Sequence, residues 1–199
     1  MDTSRGRFRS TNQSPLRIVG VDDGAFAARR ESGTGTALLV AVLLHGHRIV
    51  DAKLGRIQVD GTDAAQVLVA LLQTLSYDVV MLSGITFGGF NLIDIKKLAK
   101  SIGKPVIAVI GERPNSRAVR AALREHFGDW RRRWGIVRNA GALFSCKPLQ
   151  DEPKLYFEVR GGSSTFARRA IIASSLISRL PEPVRVAGMI ARGLSGAPD

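Results

Sequence analysis

The chain has 199 residues, 45% hydrophobic and 23% charged, which suits one globular domain with enough apolar material for a core. Its 29 Lys and Arg outnumber 17 Asp and Glu, and attraction to a polyanion is the simplest reason for the resulting net charge of +12, ahead of an anionic membrane, a small phosphate ligand or solubility alone. A single cysteine excludes an internal disulfide, and no apolar run reaches the ~18 residues of a spanning helix, so the expected compartment is the cytoplasm, with no membrane as partner.

Residues 1–16 (MDTSRGRFRSTNQSPL) carry arginines with no apolar core behind them. That is not the pattern of a secretory signal, and it reads as a disordered basic tail. Arg17–Asp22 (RIVGVD) is a strand, and Asp23–Gly35, with three glycines, is a loop. Thr36–Leu44 is an apolar strand that the short His45-Gly46-His47 turn joins, antiparallel, to Arg48–Val59. The period then changes: Leu68, Leu71, Leu72 and Leu75 predict an amphipathic helix over Asp63–Ser76. Asp78–Leu82 (DVVML) is the continuous apolar run of a central parallel strand. A Gly-rich loop leads into a helix over Asn91–Ile102, and a buried strand follows over Lys104–Ile110. Ser116–Asn139 reads as one long helix or two short ones broken near Gly128. Ala142–Cys146 and Leu155–Val159 are strands, which makes Cys146 a buried strand residue rather than a nucleophile. Helices over Ser164–Ser178 and Pro181–Arg192 close the chain.

Three antiparallel strands followed by strand–helix units give a mixed α/β sheet with helices on both faces. The order resembles the ribonuclease H-like fold, in which carboxylates at strand ends hold divalent metal for phosphodiester chemistry. Neither a repeat nor a linker divides residues 17–199, so they form one domain.

Asp22 ends the first strand, where a side chain reaches past the sheet edge and a carboxylate can hold a hard cation such as Mg²⁺. Asp23 follows on the opposite side, so only one of the pair points into a given site. Taken alone, Asp22-Asp23-Gly24 favours a turn. Asp60-Gly61-Thr62-Asp63 favours a helix cap, with metal ligation by either acid as the alternative. The glycines of Ser83–Asn91 (SGITFGGFN) let backbone approach a phosphate, yet the segment lacks the Lys and spacing of a Walker loop. Phe87 and Phe90 suit base stacking and core packing equally. Arg117, Arg120 and Arg124 recur on one helix face, Arg131–Arg133 lie between Trp130 and Trp134, and Lys96, Lys97, Lys100 and Lys104 form a second cluster. Such stripes fit phosphate contacts, and they equally fit solvated helix faces. No His/Cys cluster has zinc spacing.

GVDDG at 20–24, VDGTDA at 59–64, GITFGGFNLIDI at 84–95, KPVIAVI at 104–110 and PEPVRVAGMIA at 181–191 resemble, in this order, the endonuclease dU family, a distant relative of endonuclease V. The resemblance covers about Arg17 to Gly196. It implies a ribonuclease H-like fold and cleavage of DNA or RNA near deaminated bases with Mg²⁺ or Mn²⁺. It implies catalytic roles for Asp22, Asp60 and Asp63, with Asp22 and Asp63 as metal ligands. Gly84, Gly88, Gly89, Phe90, Asn91, Lys96, Lys97 and Arg113 are the expected nucleic-acid contacts. Two positions depart from endonuclease V: Ser83 stands where it has a catalytic Asp, and Gly188 where a His is expected. A nuclease-type enzyme, a non-catalytic nucleic-acid binder of the same fold and a binder of small anionic nucleotides are the three readings carried forward.

Overall fold

The computed structural model describes residues 15–26 and 35–195. The tail expected over residues 1–16 therefore lies outside the described residues, except for Pro15 and Leu16. In chain order the elements are β1 (Arg17–Asp23), β2 (Thr36–His45), β3 (Arg48–Gln58), α1 (Ala64–Leu72), β4 (Val79–Leu82), β5 (Thr86–Phe87), β6 (Asn91–Leu92), α2 (Ile95–Ile102), β7 (Val106–Ile110), α3 (Ser116–His126), α4 (Trp130–Asn139), β8 (Phe144–Cys146), β9 (Leu155–Arg160), α5 (Ser164–Ser174) and α6 (Glu182–Ser195).

Seven strands form one sheet in the order β3-β2-β1-β4-β7-β9-β8. β1, β4 and β7 run parallel at its centre, while β2, β3, β9 and β8 pair antiparallel at the flanks. This is the ribonuclease H-like mixed sheet with helices on both faces that the element order predicts. The central strands read as unbroken apolar runs because both faces are covered. On one face Val19, Val21, Leu39, Val80, Leu82 and Ala108 meet Leu68 and Leu72 of α1 and Leu98 of α2. On the other, Met81, Ile107 and Phe157 meet Ala167 and Ile171 of α5, and Val40 and Val42 meet Ala187 and Ala191 of α6.

Three local departures from the sequence reading have clear causes. Asp23 extends β1 rather than opening a loop, because it pairs with Leu39 of β2. Residues 86–92 fold as a small β5–β6 hairpin instead of running straight into a helix, and α2 starts only at Ile95. Asp94 sets that start by capping α2: its carboxyl accepts from the backbone N–H of Lys96 and Lys97, both at 3.1 Å. α5 stops at Ser174 rather than Ser178, where the hydroxyls of Ser174 and Ser175 turn back onto carbonyls of the last turn. The 116–139 stretch is two helices, α3 and α4, packed on one another. No helix among the described residues is long and apolar enough to cross a membrane.

Candidate functional site

Alternation along β1 sends Gly20, Asp22 and Gly24 to one face of the sheet and Asp23 to the other. On the first face α6 lies directly along the strand. Four strand residues rise about 13 Å and eight helix residues about 12 Å, so the two backbones stay in step. Gly20 meets Pro183, Asp22 meets Gly188 and Gly24 meets Ala191. A Cβ on Gly20 would collide with the backbone of Pro183 and Val184, and one on Gly188 would collide with the Asp22 carboxyl. Missing side chains at these two positions let Asp22 lie against bare helix backbone.

Asp22 Oδ1 accepts a short hydrogen bond from the hydroxyl of Ser83, the residue after β4. Its Oδ2 faces Arg192 Nη1 at 3.7 Å, and the Arg192 side chain is 61% exposed, so water screens this pair. Burial pushes the Asp22 carboxyl above its ordinary range despite the Ser83 bond. Burial also raises Asp23, opposed by the backbone N–H of Gly88, which donates to its Oδ2 at 2.6 Å. A carboxyl raised by folding binds its proton more tightly in the native state, so its contribution to stability falls as pH rises above the unfolded value. Asp22→Asn in metal-free buffer is expected to hold the Ser83 bond and remove that penalty. The melting temperature of the variant, relative to wild type, then rises from pH 4 to pH 7; a constant difference would refute the burial penalty.

On the opposite side the acids of the 58–64 turn are bound up by backbone. Asp60 sits in the left-handed region (φ 58°), and its Oδ1 accepts from Phe90 N at 2.9 Å. Its own N–H donates to Gly88 O at 2.8 Å, so Asp23 and Asp60 grip one glycine from two directions. Asp63 accepts from Gln58 N at 3.2 Å and from the Asn91 side-chain amide at 2.6 Å. Asn91 is fully buried and also bonds Ala64 N (3.0 Å) and Gln58 O (2.9 Å), which joins β6 to the start of α1. Arg133, from the Trp-flanked arginine run, is 6% exposed. Its guanidinium donates to the carbonyls of Asp60, Gly61 and Phe90 at 2.6–3.1 Å and pairs with Asp129 at 2.7 Å.

The structure thus gathers Asp22, Ser83 and Arg192 on one side of the β1 tip, with Asp23 on the other, and gives Asp60, Asp63 and Asn91 bracing work at the turn. Phe87 is core, and Phe90 packs edge-on against Phe127 at 5.5 Å between centroids. Lys96 and Lys97 are exposed on α2. Gly84 and Arg113 line an open cleft of about 670 Å³ beside Ser83. Arg120, Arg124 and Arg131 lie over the rings of Trp134 and Trp130 at 4.6–5.8 Å, so α3 and α4 present a guanidinium-rich ridge. Sequence reading missed Arg192, although it lies four residues beyond Gly188 on the same helix face. It also missed Glu158, a lone acid in an apolar strand that lines the cleft.

Among the described residues no three carboxylate, imidazole or thiolate side chains converge on one point. The donors at the β1 tip nonetheless suit a hard divalent ion in kind. Asp22 and Ser83 offer oxygen, and Mg²⁺ commonly takes one or two carboxylates and completes its shell with water and substrate phosphate. A buried carboxyl whose pKa is raised also gains from a cation.

A family model described as Endonuclease dU matches residues 14–195. A UPF0215 protein of Thermococcus gammatolerans is 42% identical over 180 residues, covering 88% of this chain and 90% of that protein. One from Methanothermobacter thermautotrophicus is 33% identical over 188 residues, covering 92% and 89%. A crystal structure of a protein of unknown function from Archaeoglobus fulgidus superposes with a TM-score of 0.77 at 25% identity, covering 90% and 98% of the two chains. Endonuclease V of Ciona intestinalis, solved with DNA containing an inosine, gives a TM-score of 0.59 at 14% identity over 90% and 86%. At that identity it shares the fold, and a fold alone does not fix a function.

Proposed function

Because the chain belongs to the endonuclease dU family, we propose that it is a nuclease-type enzyme that hydrolyses phosphodiester bonds in nucleic acid at the β1 tip. The observation that carries this reading is Asp22: a part-buried carboxyl, raised by burial and held by Ser83, at the end of a central strand beside an open cleft and a basic ridge. Strand tips of this kind are where α/β sheets place reacting groups.

Asp22, with the Ser83 hydroxyl, would hold Mg²⁺ or Mn²⁺, which supplies charge neutralisation at the scissile phosphate and a more acidic water. Ser83 fixes the Asp22 carboxyl in one rotamer. Arg192, exposed and loosely paired, is free to swing from Asp22 to a phosphate oxygen. Asp60, Asp63, Asn91 and Arg133 act at one remove: they hold the Gly88-Gly89 turn against Asp23. Lys96, Lys97, Arg113 and the α3–α4 arginines supply affinity for the backbone without reading sequence.

A second reading is a binding protein of the same fold that does not cut. Ser83 and Gly188 favour it, since neither offers a charged ligand. Labelled single- and double-stranded DNA and RNA, plain and with uracil or hypoxanthine, incubated in Mg²⁺, Mn²⁺ or chelator, separate the two. Cleavage that needs metal supports the enzyme. Salt-sensitive binding with no cleavage in either metal supports the binder.

A further inference from the structure

The two carboxylate oxygens of Asp22 have different surroundings. Oδ1 accepts from the Ser83 hydroxyl and from the backbone N–H of Asp23 at 3.0 Å. A carboxylate oxygen has two lone pairs, so Oδ1 is filled. Oδ2 makes no hydrogen bond among the described residues and faces Arg192 Nη1 at 3.7 Å. It is the oxygen left to take an ion, and a cation of the chain already stands before it.

A missing side chain lets Arg192 reach that oxygen. Residues 188 and 192 share one face of α6, and position 188 is a glycine. A Cβ there would strike Asp22 Oδ2 and lie 3.0 and 3.1 Å from the two terminal nitrogens of Arg192. The guanidinium therefore lies over bare helix backbone. Asp22 is the one acid within 4.0 Å of it among the described residues, where it also donates no hydrogen bond. At 61% exposure, Arg192 is a cation held by charge alone.

We propose that Arg192 is the counter-cation of Asp22 in the metal-free protein: it gives up Oδ2 to a divalent ion, turns to a substrate phosphate, and so makes ion and nucleic acid each tighten the other's binding. This rests on the nuclease reading above and adds regulation to the same site. Arg192 cannot stay beside an oxygen that holds a divalent ion, because like charges at that range repel. Displacing it weakens ion binding by the free protein. A phosphate offers the displaced guanidinium a planar pair of oxygens that fits its fork. Nucleic acid thus draws away the competitor for Oδ2, and by linkage the ion must favour nucleic acid by the same factor. An exposed pair of this kind sets that factor at about 1.5- to 5-fold.

The test is Mn²⁺ binding, followed by electron paramagnetic resonance, to wild type, Arg192→Ala and Asp22→Asn. Each is measured alone and with a single-stranded oligonucleotide that is checked to be intact, and the Mn²⁺ bound by the oligonucleotide itself is subtracted. Arg192→Ala alone is expected to bind Mn²⁺ about 1.5- to 5-fold tighter than wild type. That gain shrinks between roughly 0.01 M and 1 M salt, as the Debye length falls from about 30 Å to about 3 Å; loss of a merely structural contact would not follow salt in this way. The oligonucleotide should tighten Mn²⁺ binding by wild type more than by Arg192→Ala, by a similar factor. Equal or weaker Mn²⁺ binding by Arg192→Ala, or an equal effect of the oligonucleotide on both proteins, overturns the proposal; the nuclease reading then stands if Asp22→Asn loses the ion. No Mn²⁺ binding by wild type, or binding by Asp22→Asn as tight as by wild type, overturns the nuclease reading and the proposal with it.

Discussion

Gly20→Val is expected to destabilise the protein by about 3 kcal/mol, the upper end of the range for overpacking, and to lower the melting temperature by roughly 6–12 °C for a chain of this size. The cause is the contact between β1 and α6. A Cβ at position 20 falls on the carbonyl of Pro183 and the amide of Val184. These are backbone atoms, so no rotamer change relieves the clash, and α6 must lift from the strand. Asp22 and Gly188 lie on the same contact, so a lifted helix also moves Arg192 away from Asp22. Any cleavage activity should therefore fall more steeply in Gly20→Val than thermal stability predicts at a temperature where the variant is folded. Chemical denaturation measures the first effect. A change below 0.5 kcal/mol, the range of an ordinary surface substitution, would mean that the helix does not sit on the strand as described.

Arg133→Ala is expected to cost about 3–5 kcal/mol, as for breaking other buried charge networks, whereas Arg132→Ala should stay within about 0.5 kcal/mol. The two residues are neighbours in one basic run, and only the structure separates them. Arg132 is 61% exposed and meets Asp129 at 3.5 Å, a weak screened pair. Arg133 is buried over the Phe127 ring, and its guanidinium satisfies the carbonyls of Asp60, Gly61 and Phe90. Removing it strands three acceptors and frees the turn that carries Asp60. Arg133→Lys should recover little, because a single ammonium cannot spread over three carbonyls as the planar fork does. In nucleic-acid binding the order reverses. Arg132→Ala should flatten the salt dependence of affinity, and Arg133→Ala should leave that slope unchanged where the protein is folded. Similar denaturation midpoints for the two variants would contradict the bracing role.

Much of the fold was legible in the sequence because its signals are periodic or continuous. The unbroken apolar run of β2 and the change to helical spacing at Leu68 each have one physical reading. The β5–β6 hairpin was not legible, since two-residue strands carry no pattern. Local signals left the site open. The Asp60–Asp63 acids and the Gly-rich segment look like ligands in one dimension, and the structure joins them to each other through Asn91 and Arg133. Gly188 read as a lost catalytic position, whereas in three dimensions it makes room for Asp22. Close approaches between elements leave no local trace beyond the glycine itself.

Single-turnover cleavage by Asp22→Asn, with Asp60→Asn and Asp63→Asn beside it, tests most directly whether the β1 tip is the reacting centre. With oligonucleotide binding verified for every variant, the account predicts that Asp22→Asn abolishes metal-dependent cleavage, while the other two, which keep a side-chain oxygen for their backbone partners, retain most of it. Cleavage undiminished in Asp22→Asn, or lost only in Asp63→Asn, would place the chemistry at the start of α1 and contradict the account.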